Sequence, residues 1–94
     1  MGKEKTWSGP KIGAAVFVRT VTMHYTGVVT AIDGHWIHLA EAAWIADSGR
    51  FSAALEKGTL SEVEPYPGAG FVSVARGAIV DVSPWSHALP RAVK

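Results

Sequence analysis

The chain has 94 residues, 48% of them hydrophobic and 18% charged, with nine basic against eight acidic side chains and a net charge of +1. That is one small domain; the composition excludes disorder throughout, a strongly basic nucleic-acid footprint and, with no cysteine, any disulfide framework or thiolate metal site. The mean hydropathy is slightly positive, and a domain this small buries only roughly 60–65% of its unfolded surface alone, so exposed apolar patches and self-association are expected.

Residues 1–13 read as a polar arm of Lys, Ser, Gly and Pro in which Trp7 is the only aromatic side chain. The arm has no apolar signal-peptide core, and no stretch reaches the roughly 20 apolar residues that cross a bilayer; with cysteine absent, a cytoplasmic setting is expected. A first strand is expected over Ala15–Met23, rich in β-branched residues, with His24–Tyr25 as its turn. TGVVTAI follows, then Asp33-Gly34, then HWIHLAEAAWI. Asp-Gly between two such runs signals a two-residue hairpin turn, because both central residues need positive φ. That turn sets Ile32 opposite His35, Val29 opposite His38 and Val28 opposite Leu39. Val28, Ile32, Ile37 and Leu39 then form a core face, while Val29, Ala31, Trp36 and His38 need a second cover, for which a neighbouring subunit is the expected source.

Asp47 or Ser48 is placed to cap a short helix over Arg50–Lys57 that ends at Gly58. Residues 59–70 hold two prolines and two glycines in the run Pro65–Gly70 and read as loop with at most a short strand. Phe71–Arg76 and Ala78–Ser83 read as two more strands, with Gly77 marking a bend or close backbone approach. Residues 85–94 form a tail. Five strands and one inserted helix, about residues 48–58, close most naturally as a small, strongly bent β-barrel over residues 14–84.

Few residues point to catalysis. His35 and His38 stand three apart, which on a strand sends them to opposite faces; PGAGF lacks the lysine and helix start of a phosphate loop. Glu62 and Glu64 read as a solvated face. No metal, no cofactor and no enzyme activity is expected. Trp36 is open to two roles, stacking on a nucleobase beside Arg76 or packing under a loop or neighbour. Arg76 likewise either contacts a ligand or ties strands together by bonding carbonyls or Asp33. Trp44 reads as core or interface, and Trp7 and Trp85 as anchors that dock their arms.

VFVRTVTMHYTGVVTAIDGHWIHLAEA resembles the first signature of the Sm/LSm family, which includes the bacterial Hfq proteins: Gly27 in the second strand, Asp33 six positions on, then Leu39 and Glu41. VSVARGAIVDVSP resembles the second signature, with Arg76-Gly77 between two apolar strands. The likeness covers residues 16–44 and 71–84. The family's third-strand Asn is missing, with His35 or Trp36 nearest that place, and no N-terminal helix is evident. AAWIADSGRF also resembles small uncharacterised proteins of bacteria and phages. The resemblance implies a five-stranded Sm-like (SH3-like) barrel with its helix between strands 3 and 4. It further implies a homo-oligomeric ring of about five to seven subunits, paired through the fourth and fifth strands, and single-stranded RNA bound near the pore by Asp33, His35, Trp36, Arg76 and Gly77. The alternative is a ring that binds protein partners only, such as a phage-encoded assembly component, which the balanced charge and the tryptophans in the arms suit. A third option is a monomeric SH3-like adaptor.

Overall fold

The structure is a computed structural model that describes residues 7–94. It is mostly β, as expected: one antiparallel sheet of six strands, one short helix and one 3-10 turn. The strands are β1 (Ala15–Thr20), β2 (His24–Ile32), β3 (Trp36–Asp47), β4 (Glu62–Pro65), β5 (Val72–Ala75) and β6 (Ile79–Pro84). Helix α1 (Phe51–Lys57) lies between β3 and β4, and the 3-10 turn Arg76–Ala78 joins β5 to β6. The sheet runs β4-β3-β2-β1-β6, and β5 pairs with the first half of the long β3. The sixth strand is β4, the short strand allowed for in the stretch read mainly as loop; it is only four residues long and ends on Pro65, so alternation had little length in which to show.

β1 stops at Thr20 rather than Met23. The Thr20 hydroxyl donates to the Met23 carbonyl at 2.6 Å and accepts the Met23 N–H at 3.0 Å, a local alternative to the ladder that short hydroxyl side chains offer. The turn therefore falls on residues 21–23, and His24 and Tyr25, expected in the turn, open β2.

The second hairpin turns one residue later than expected. Asp33 N–H donates to the Trp36 carbonyl, leaving Gly34 and His35 as the central pair. Ile32 thus faces Ile37 instead of His35, and a shift at Thr30 sets Val29 opposite Leu39 and Val28 opposite Ala40. The core face is accordingly Val29, Ile37 and Leu39, with Val28 half-buried and Ile32 exposed. A second shift leaves Gly27 against the bulge at Glu41, whose φ is 52°. A Cβ on Gly27 would stand 3.2 Å from the Ala40 carbonyl oxygen and from Leu39 Cβ, so close backbone approach explains that glycine.

Two buried clusters lie on the two sides of the sheet. Val16, Val18, Val29, Ile37, Leu39, Ala42 and Val74 form an aliphatic one. Phe17, Ala43, Ile45, Ala54, Leu60, Val63 and Trp85 form the other. Consecutive residues of β1 feed opposite clusters, as strand alternation requires. The second cluster is covered by the chain itself, α1 supplying Ala54 and the tail returning with Trp85 and Leu89; of the face expected to need a neighbour, Val29 lies in the first cluster while Ala31 and Trp36 are exposed. Trp85 N–H donates to the Ala15 carbonyl, its ring lies 5.6 Å from Phe17, and His87 Nε2 donates to the Leu55 carbonyl at 2.7 Å. Trp85 thus docks on its own sheet, whereas Trp7 is 44% exposed.

α1 begins at Arg50 with no side-chain cap. Of the two residues expected to cap it, Asp47 accepts the Gly49 N–H instead and the Ser48 hydroxyl donates to the Gly49 carbonyl. Its end is as expected, with Gly58 left-handed at φ 75° and its N–H on the Ala54 carbonyl.

Candidate functional site

The β2–β3 loop and the β5–β6 turn are distant in sequence but meet in space, because β5 pairs with β3 from Trp36↔Ala75 onward. Arg76 N–H donates to the His35 carbonyl at 2.9 Å, and its Nη1 donates to the Asp33 carbonyl. All five residues singled out from the sequence, Asp33, His35, Trp36, Arg76 and Gly77, fall in these two segments, and all are exposed. Arg76 makes the strand tie through carbonyls that is one of its expected roles, and Trp36 is 43% exposed and so is not packed away within its own chain.

Asp33 organises the loop. Its Oδ1 accepts the N–H groups of His35 at 2.8 Å and Trp36 at 2.9 Å, and its Oδ2 accepts from His38 Nε2 at 3.0 Å. The His38 bond foremost, then the two backbone N–H groups, hold its carboxyl down at about 2. A carboxylate only accepts, so His38 carries its proton on Nε2 and in the neutral ring takes the Ser73 hydroxyl at Nδ1, 2.7 Å away. The sequence reading missed this Asp33–His38–Ser73 chain, since the β3–β5 pairing that sets His38 opposite Ser73 is long-range. The chemistry the patch presents is an exposed indole, a guanidinium fixed on a loop carbonyl and a hydrogen-bonded run of loop backbone, a surface for flat or extended ligands.

A second concave region lies elsewhere, a cavity of about 430 Å³ lined by Met23, Trp44, Glu64, Pro65, Tyr66 and Pro67. Register builds it: Tyr25 faces Trp44 across β2 and β3, and Trp44 faces Glu64 across β3 and β4, which sets the three side chains on one side of the sheet. Tyr66 stacks on Tyr25 at 6.5 Å, and burial is the first cause raising the Tyr66 phenol above its ordinary value. None of these residues was singled out as a binding site, because no short segment holds them together; the nearest signal was the pair Glu62 and Glu64.

No family model, curated protein or solved structure matches the chain, and no helix among the described residues is long and apolar enough to cross a membrane.

Proposed function

We propose that the chain is an Sm-like subunit that closes its sheet into a small barrel and pairs with copies of itself in a ring. The ring presents the loop patch around Trp36 and Arg76 to single-stranded RNA. The observation that carries this reading is the lock between the two loops: Arg76 bonds the carbonyls of Asp33 and His35, and the Trp36 side chain that follows His35 in the chain stays 43% exposed. Base–aromatic stacking contributes about 1–3 kcal/mol per base. Ring formation is supported by the free sides of β5 and β6, since among the described residues β5 pairs only with β3 and β6 only with β1. Phe71 beside β5 and Val80 in β6 are 73% and 61% exposed, and unpaired edges with apolar side chains recruit strands.

Light scattering on the purified protein tests the ring: a mass several times the 10.0 kDa of one chain is expected, falling toward one chain in Val80→Lys. A single-chain mass in the parent protein defeats the ring. Filter binding of oligouridine and oligoadenine at low salt tests the patch. Saturable binding that Trp36→Ala weakens by about tenfold or more is expected from lost stacking, and no saturable binding removes the RNA.

A second reading, a ring that binds protein partners and no nucleic acid, is favoured by how the arginines are used. Of the four arginines, Arg19 is paired with Asp81, Arg91 with Glu41, and Arg76 bonds a carbonyl, so three of the guanidinium forks that would grip a phosphate are already engaged. An assembled ring that purifies with a protein-like absorbance ratio and ignores both oligonucleotides selects this reading over the first.

A further inference from the structure

Beyond the ring and its loop patch, we propose that the cavity between Trp44 and Tyr66 binds the arginine side chain of an extended peptide from a partner protein. The cavity offers aromatic faces, a thioether and a carboxylate, and no cationic side chain lines it. Among the described residues Glu64 makes no ion pair, unlike Asp81, Glu41 and Asp33.

The chain already holds its own guanidinium in such a setting. Arg19 lies 4.5 Å from the centre of the Phe51 ring and bonds both oxygens of Asp81. An aromatic face beneath and a carboxylate at the edge satisfy the two demands of a guanidinium, a π surface for its plane and acceptors for its in-plane N–H fork. Trp44, Tyr66 and Glu64 supply the same two elements with the cation missing, and their placement is rigid because cross-strand pairing holds Tyr25, Trp44 and Glu64 in a row. Arginine suits the site better than lysine, whose compact, strongly hydrated ammonium gains less from an aromatic face.

The occupant is a peptide because a second groove shares two of the cavity's lining residues. Pro65 and Tyr66 also line a neighbouring groove of about 250 Å³ that runs past Gly68 and Gly70. The acid in that groove, Glu41, already has Arg91 against it, so the attraction for an incoming cation is concentrated at Glu64 while the groove takes uncharged backbone.

The probes are two acetylated and amidated peptides, Gly-Ser-Pro-Arg-Gly-Ser and its citrulline counterpart, which keeps the planar shape and loses the charge. Each is titrated into the whole protein and followed by amide and indole N–H chemical shifts. The arginine peptide is expected to shift Trp44, Glu64 and Tyr66 in a saturable way, with citrulline binding about tenfold more weakly. Glu64→Gln is expected to weaken the arginine peptide by a similar factor while its remaining spectrum stays that of the parent, since Glu64 is exposed. Equal affinity for the two peptides, an unchanged affinity in Glu64→Gln, shifts confined to other surfaces, or no saturable response overturns the proposal. None of these outcomes bears on the ring, whose test is the assembled mass.

Discussion

The two sides of the sheet are closed by different means. One cluster is aliphatic and comes almost wholly from strands: Val16 and Val18 from β1, Val29 from β2, Ile37, Leu39 and Ala42 from β3, Val74 from β5. The other is aromatic at its centre, Phe17 against Trp85 and Phe51, and depends on α1 and the tail for its lid. A face built of strands is stabilised by the same pairing that makes the sheet. A face closed by one short helix and a tail rests on a few large contacts, and its stability is concentrated in them.

The largest effect that tests this contrast is Phe17→Ala. Phe17 is fully buried and touches the rings of His24, Phe51 and Trp85, so a loss of about 3–5 kcal/mol is expected in denaturant unfolding. Leu39→Ala, equally buried on the strand-built side, is expected to cost about 2–5 kcal/mol. What separates the two is the pattern of amide exchange. Phe17→Ala should loosen α1 and the tail first, and Leu39→Ala should lower protection throughout the ladder. Uniform loss in both would erase the distinction.

Trp85→Ala sharpens it further. A loss of about 3–5 kcal/mol is again expected, with exchange in α1 rising while the β2–β3 hairpin stays protected; an unchanged α1 would mean that the tail is not its lid. Gly27→Ala probes the strand-built side at its tightest point, because the new Cβ meets the Ala40 carbonyl oxygen and Leu39 Cβ at 3.2 Å. A cost of roughly 1–3 kcal/mol by thermal melting is expected, and a neutral result would show that the bulge at Glu41 yields freely.

The smallest effect is the acid response of the loop. The Asp33 carboxyl is held at about 2, below the ordinary aspartate value, first by His38 and then by the N–H groups of His35 and Trp36. A depressed carboxylate contributes its stabilisation in full above its unfolded value and loses it as pH falls through the folded one. The loop is therefore expected to loosen between about pH 4 and pH 2, followed by the side-chain carboxyl carbon shift of Asp33. His38→Gln should move that midpoint upward, toward the ordinary carboxylate range. A midpoint that stays put would assign the effect to the backbone bonds alone.

Much of this architecture was legible in short windows. The β-branched run around Phe17, the hairpin at Asp33-Gly34, and a helix ending at Gly58 all rest on interactions within a few residues, so local patterning suffices to find them. The loop patch was legible too, but only as two separate segments. What joins them is the pairing of β5 with β3, which lets Arg76 reach Asp33 across 43 positions.

The hairpin register went the other way, and for a physical reason. Asp-Gly favours the central pair of a turn, but the Asp33 carboxylate bonds the N–H groups of His35 and Trp36, which draws Asp33 into the strand end and moves the turn by one residue. The bonds of His38 and Arg76 to Asp33 stabilise that choice, and one of them comes from the distant turn between β5 and β6.

The amino-acid sequence alone determined that this protein is mostly β, where its long strands lie and where its helix ends, because alternation and turn chemistry act over neighbouring residues. Tertiary structure decided the register, the short strand at Glu62–Pro65, the return of Trp85 to cover Phe17, and the row of Tyr25, Trp44 and Glu64. Each of these depends on which distant segments pair, and that is settled by the burial and hydrogen bonding of the whole sheet rather than by any residue's own neighbours.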